Sequence, residues 1–163
     1  MSVRRRNMSL AMAVLLAALV VDQATKWIII NWVMVPPRVI PITGFFNLVL
    51  GWNTGVSFGM FSTSSVWALV FLSAVIMVAL FMWLTRAQST LQAAAIGLIL
   101  GGATGNVIDR LIIGGVTDFL DFYVGDWHWP SFNTADIFIV CGAALLLLVD
   151  FRSSAMPVRH QRP

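Results

Sequence analysis

Residues 66–84 read VWALVFLSAVIMVALFMWL, nineteen positions without a charge. At 1.5 Å per helical residue they extend roughly 28 Å, which matches the hydrocarbon core of a bilayer. Apolar runs at 10–34, 91–112 and 135–151 repeat the pattern. The 163-residue chain is 59% hydrophobic and only 10% charged, whereas a soluble domain carries about 25% charged residues. These runs predict an all-α membrane protein: four transmembrane helices in one integral domain, with a small β-rich extracytoplasmic cap.

Charge supports a membrane topology better than a nucleic-acid surface. The sequence pI is near 10.0, but the basic residues flank apolar runs instead of forming a groove-sized patch. With four spans both termini share a side. Arg4, Arg5, Arg6, Arg86, Arg152, Arg159 and Arg162 would lie there, against Lys26, Arg38 and Arg110 opposite. Seven against three places both ends in the cytoplasm. Arg4–Arg6 before a short apolar run resembles a secretory leader. Apolar sequence resumes at Trp27, so the segment is read as a retained first helix.

Pro36-Pro37 ends that helix, because proline lacks an N–H and clashes with the preceding turn. From there to Ser65, Pro, Gly and Asn break the chain too often for a span. This is the cap, roughly 38–64. Ile42 to Leu50 reads as a strand, and Gly51 to Gly59 as a turn leading to a second short strand. Phe45, Phe46, Trp52, Phe58 and Phe61 form its expected apolar face. In the third helix, Gly97, Gly101 and Gly105 recur every four residues. Such small residues let a neighbouring helix approach closely.

All seven acidic residues are Asp, and five fall between 109 and 136. A charge at the centre of a membrane helix costs roughly 2.5–3.5 kcal/mol on insertion scales, so a cluster at the edge of apolar runs suggests use. Asp118 and Asp136 are the candidate catalytic pair. Asp136 also stands where an acid favours a helix N-terminus. Asn53, Asn106, Asn133 and Arg110 are the candidate orienting shell. Asp22 and Lys26, at i and i+4, share a helix face and can pair; alternatively Lys26 anchors or orients a group at the outer interface, or reaches a phospholipid phosphate. Asp109 and Arg110 read as an ion pair at a helix end. Asp126 and His128 read as solvated loop residues, and Asp121 as facing either way. Cys141, the only cysteine, reads as a small buried hydrophobe.

No zinc-type histidine pair, nucleophile elbow or phosphate loop is present, so no metal or cofactor is expected. Carboxylates remain. Two close Asp groups share a proton because both cannot ionise cheaply. Such a pair can activate water for hydrolysis without a covalent intermediate. A carboxylate-lined transporter is the alternative, but it calls for acids near midplane on broken helices, and here they gather at one end of the spans. A scaffold would leave five clustered Asp unexplained.

At these residues the chain strongly resembles signal peptidase II, the lipoprotein signal peptidase family, over nearly its whole length. The resemblance rests on Asp22-Gln23-Ala24-Thr25-Lys26, Asn53-Thr54-Gly55-Val56-Ser57-Phe58-Gly59, Gly105-Asn106-Val107-Ile108-Asp109-Arg110, Val116-Thr117-Asp118-Phe119 and Phe132-Asn133-Thr134-Ala135-Asp136. Val56-Ser57 departs from the small pair, often Ala-Ala, common in the family. The resemblance implies an aspartic endopeptidase of the bacterial cytoplasmic (inner) membrane. It would cleave prolipoproteins just before the diacylglyceryl-modified cysteine, at the periplasmic face. The dyad maps to Asp118 and Asp136, with Asn53, Asn106, Asp109, Arg110, Asn133, Asp22 and Lys26 in support. The expected partners are diacylglyceryl-prolipoproteins and membrane phospholipid, not nucleic acid, and the expected state is a monomer.

Overall fold

The computed structural model describes residues 2–55 and 66–154, with side chains through Phe151. The strand expected within 56–59, the aromatics Phe58 and Phe61, and the tail residues Arg159 and Arg162 lie outside the described residues.

Four helices are long and apolar enough to cross a membrane. Helix α1 covers Val3–Ile28 and continues into a π-helical turn, Ile29–Val33. It starts seven residues before the apolar run. Arginine is a good helix former, and the Ser2 hydroxyl accepts from the Arg5 N–H, so Arg4–Arg6 join the first turns. Helix α2 is Val66–Leu84. Helix α3 is Thr90–Ile113, capped by the Ser89 hydroxyl and ended by Gly114 at φ 75°, a left-handed conformation that glycine adopts without penalty. Helix α4 is Thr134–Ser154.

Helix α3 is central because its glycines admit neighbours on two sides. A Cβ at Gly97 would lie 2.6 Å from the Ala11 carbonyl oxygen, and one at Gly101 would lie 2.6 Å from that of Leu15. These contacts seat α1. On the other side, Gly102 meets Ala135, and a Cβ at Gly142 would lie 2.6 Å from the Ala95 carbonyl oxygen. These seat α4. The glycine stripe is therefore used within the chain, for packing in a medium where small residues replace the hydrophobic effect. Ala11, Leu84, Ala93, Ile96 and Leu100 form the buried core beneath it. Helix α2 packs on α3 and leaves Trp67, Phe71 and Val78 exposed.

The connections α1–α2 and α3–α4 meet in one antiparallel sheet at the same end of the bundle. Its order is β1 (Ile40–Thr43), β2 (Phe46–Asn53), β3 (Val116–Val124), β4 (Trp127–His128). The single strand expected from Ile42 to Leu50 is instead two, divided by a turn at Gly44-Phe45. The sheet also takes half its strands from beyond α3. Phe122 rings lie 4.8 Å from Phe46 and 5.9 Å from Phe132, and these aromatic contacts tie the two connections together.

Three other expectations are corrected. Cys141 is exposed, not buried: α4 turns Gly142 toward α3, which leaves its neighbour outward. His128 is solvated, as expected, but it stands on β4 and is paired instead of lying in a loop. Its Nδ1 lies 2.8 Å from Asp121 Oδ1, and Asn47 Nδ2 donates to Asp121 Oδ2 at 3.0 Å. Asp121 is thereby buried among partners. Asp109 pairs with Lys26 at 3.1 Å and not with Arg110, since Asp109 faces α1 whereas Arg110 reaches back to the Asn106 carbonyl.

Candidate active site

Two elements deliver the two carboxylates. Strand β3 carries Asp118 opposite Gly51 of β2. The segment before α4 runs beside β3, where Phe132 exchanges backbone hydrogen bonds with Leu120 at 2.9 and 3.1 Å. That pairing sets Asn133 next to Asp118. Asn133 is then the N-cap of α4, and Asp136 is its third helical residue. The Asp136 N–H donates to Asn133 Oδ1, and the Asn133 N–H donates to Asp136 Oδ2, both at 3.2 Å. This is a capping box with an Asp in the acidic place. It turns the Asp136 carboxylate back toward the sheet.

Asn133 also donates its side-chain amide to Asp118 Oδ1 at 2.7 Å. One asparagine thus holds one carboxylate by its side chain and the other by its backbone. Asn53, at the end of β2, donates to Asp118 Oδ2 at 3.0 Å. Asn106 of α3 donates to Asp136 Oδ1 at 2.9 Å. Each carboxylate is fixed by amides on two separate elements.

Behind Asn106 is a buried ionic cluster. Lys26 Nζ contacts Asp22 Oδ2 at 2.9 Å, Asn106 Oδ1 at 3.1 Å and Asp109 Oδ2 at 3.1 Å. Its three protons are all committed. Asp22 Oδ1 accepts from the Ala135 N–H of α4 at 2.8 Å, an amide the helix cannot satisfy itself. Asp22 also packs on Gly105 too closely for any side chain there. Asp109 Oδ2 accepts from the Thr117 N–H at 3.1 Å, which anchors the start of β3. The cluster therefore joins α1, α3, α4 and β3 at the point where the pair sits. Of the readings open for Lys26, the structure shows the ion pair.

Gln23 was not among the expected supporting residues. Its Nε2 donates to Asp22 Oδ2 at 3.2 Å and to Asp109 Oδ1 at 3.1 Å. Thr25 and Thr134 hydroxyls meet at 2.7 Å across α1 and α4. The signal for both was their place inside Asp22–Lys26 and beside Asn133, but an uncharged side chain in a helix carries no pattern of its own.

Asp118 is 3% exposed. Burial raises its carboxyl above the ordinary carboxylate range, hydrogen bonds from Asn133 and Asn53 pull it back, and the nearby charge of Asp136 adds to the rise. Asp121, three residues on, goes the other way. Its burial is outweighed by the hydrogen bonds from His128 and Asn47, which hold it below the ordinary value. Two acids of one strand are thus set apart by their surroundings, as general acids are in enzymes. Arg110 adds positive charge facing Asp136 and Asp118.

A family model described as Signal peptidase (SPase) II matches residues 14–152. The lipoprotein signal peptidase of Rhodopseudomonas palustris strain TIE-1 is 45% identical over 139 residues, covering 80% of this chain and 84% of that one. That of Methylobacterium sp. strain 4-46 is 40% identical over 162 residues, covering 97% and 98%. The fold is similar to two solved structures described as a bacterial membrane enzyme, obtained by the in meso method. One has TM-score 0.80 at 24% identity, over 94% of both chains. The other has TM-score 0.76 at 26% identity, over 87% of this chain and 92% of that one.

Proposed function

The chain belongs to the signal peptidase II family of membrane-spanning proteases, and on that premise we propose that it is an aspartic endopeptidase acting on diacylglyceryl-modified prolipoproteins. The observation that carries the reading is the Asn133 bridge, which brings Asp118 and Asp136 into one site. The proposed cut falls just before the lipid-bearing cysteine.

The chemistry follows from the surroundings of the two acids. Asp118, whose burial favours its neutral form, holds a proton. Asp136 is held as an acceptor by Asn106 and the Asn133 N–H. Water enters between them. Asp136 removes one proton as the water oxygen attacks the scissile carbonyl, and Asp118 gives its proton to the carbonyl oxygen. When the tetrahedral adduct collapses, Asp118 recovers its proton and the leaving amine takes the one held by Asp136. The products are a signal peptide carboxylate and a free amine on the lipidated cysteine, with no covalent enzyme intermediate. Each positioned group contributes roughly 10²–10⁴-fold to such a step. Arg110 steadies the charge that remains.

The proposed setting is the bacterial cytoplasmic membrane, with both termini in the cytoplasm and the site at the outer boundary among phospholipid. The seven-to-three distribution of basic residues supports it. The chain acts as a monomer, in keeping with a glycine stripe consumed by its own α1 and α4. The test is cleavage of a diacylglyceryl-prolipoprotein peptide by purified protein, wild type against Asp118→Asn. Wild type cleaves and the variant does not. Equal cleavage by both ends the dyad assignment.

A further inference from the structure

A cavity of 230 Å³ opens between α1 and α3, with Lys26 and Asp109 in its wall and Thr117 of β3 beside them. Thr117 and Asp118 are neighbours on one strand, so their side chains point to opposite faces. The cavity therefore lies across β3 from the catalytic pair. Thr117 has no exposed surface, and among the described residues its hydroxyl has no hydrogen-bond partner. A buried polar group in that condition calls for a partner.

The donors and charges of the lining decide what kind of partner fits. Lys26 Nζ is committed to Asp22, Asn106 and Asp109. Gln23 Nε2 donates to Asp22, Asp109 and the Gly105 carbonyl, and Asn31 Nδ2 donates to the Trp27 carbonyl. The lining donors are thus turned into the protein, and an anion such as phosphate finds little to bind. Acceptors remain, namely the Asp109 carboxylate and the Thr117 hydroxyl. The cluster behind them sets two acids, Asp22 and Asp109, against the single cation Lys26. Arg110, the other cation of α3, acts first on Asp136 and Asp118. The mouth of the cavity is apolar. Trp27, Ile112 and Ile113 are exposed around it, on two helices long and apolar enough to cross a membrane. The indole of Trp27 also offers a face that attracts cations.

We propose that this cavity binds a primary ammonium group, presented by the headgroup of a phospholipid whose acyl chains lie against Ile112 and Ile113. The ammonium donates to the Thr117 hydroxyl and to Asp109, and its charge offsets the second acid. Asp109 also accepts from the Thr117 N–H, next to Asp118, so the bound lipid braces the strand that carries one acid of the pair. Binding here does not depend on the cleavage reaction.

The test gives full-length protein in detergent equal amounts of phosphatidylethanolamine, phosphatidylcholine and phosphatidylglycerol, and reads the retained lipid by native mass spectrometry. Wild type keeps one phosphatidylethanolamine in preference to both others, since choline has no N–H and glycerol no positive charge. Thr117→Val deletes the unpartnered hydroxyl and lowers that preference roughly tenfold, the worth of one hydrogen bond to a charged group. Ile113→Trp closes the mouth and abolishes it. Val78→Trp, on the exposed face of α2, keeps it. A thermal melt confirms that each variant is folded. Retention of phosphatidylcholine or phosphatidylglycerol by wild type as readily as phosphatidylethanolamine would overturn the ammonium site, as would an unchanged preference in either cavity variant that folds. Ethanolammonium chloride displacing the lipid at equal concentration would overturn the lipid as the source of the ammonium.

Discussion

Asn133 donates its side-chain amide to Asp118 at 2.7 Å, although the two residues belong to different elements and lie fifteen positions apart. Because the same asparagine also caps α4, the helix start and the strand are held in one register. The two acids are thus held through one short residue, by its side chain on one and its backbone N–H on the other.

Removing either acid tests that arrangement. Asp118→Asn and Asp136→Asn each lower the cleavage rate by roughly 10²–10⁴-fold or more while the protein stays folded in detergent. Cleavage of a lipopeptide, read beside a thermal melt, checks both halves of the statement. The pH profile adds a sign. Burial raises the Asp118 carboxyl, so its proton is retained above the ordinary carboxylate range and the rate declines as pH rises through that raised value. A rate that climbs steadily with pH over that range would assign the proton donor elsewhere.

Lys26 carries a different kind of load. Lys26→Met leaves Asp22 and Asp109 buried without a cation, and breaking a buried pair in this way costs about 3–5 kcal/mol. Unfolding in denaturant shows the loss. Adding Asp22→Asn and Asp109→Asn to the same variant recovers part of it, because the uncompensated charges are gone.

Gly101→Val tests the packing of α1 on α3. The new side chain begins 2.6 Å from a backbone oxygen of Leu15 and 2.8 Å from the Ala18 Cβ. Neither can swing aside, so overpacking costs at least about 1–3 kcal/mol. The yield of folded protein after detergent extraction falls sharply, whereas Gly44→Ala, with open space around it, behaves as wild type.

Asp121 gives a pH effect on stability. Its folded carboxyl lies below the ordinary value, so its charged form stabilises the fold. That contribution is present above the ordinary value of about 3.9 and is lost as pH falls through the lowered one. Asp121→Asn therefore lowers stability at neutral pH, by about 1 kcal/mol given the half-exposed His128 partner. The difference from wild type shrinks in acid. A constant difference across the range would show that the pairing with His128 and Asn47 carries no charge dependence.

The four helices were legible because membrane spans announce themselves in one dimension, as length without charge. The acids were legible for the converse reason: Asp118 and Asp136 stand out against their apolar flanks. What lay beyond reading was pairing at a distance. Asp109 has Arg110 beside it in sequence, yet it bonds Lys26 eighty-three positions away, and only the approach of α1 along the glycine stripe decides that. The β3–β4 hairpin hid likewise. Its two short strands look like any aromatic loop until Phe122 finds Phe46. Cys141 misled because burial in an apolar run is the rule in water, whereas a helix facing lipid exposes such residues freely.

The bond from the Ala135 N–H to Asp22 joins the beginning of the chain to its last span. Translation supplies Asp22 first, Asp118 well after it and Asp136 later still. A nascent polypeptide halted before Asp118 carries neither acid of the pair, and one halted between Asp118 and Asp136 carries one acid without its mate. Under the proposed chemistry, the growing chain stays inert throughout its threading into the bilayer, and its final helix, docking on a residue of the first, is the event that arms it.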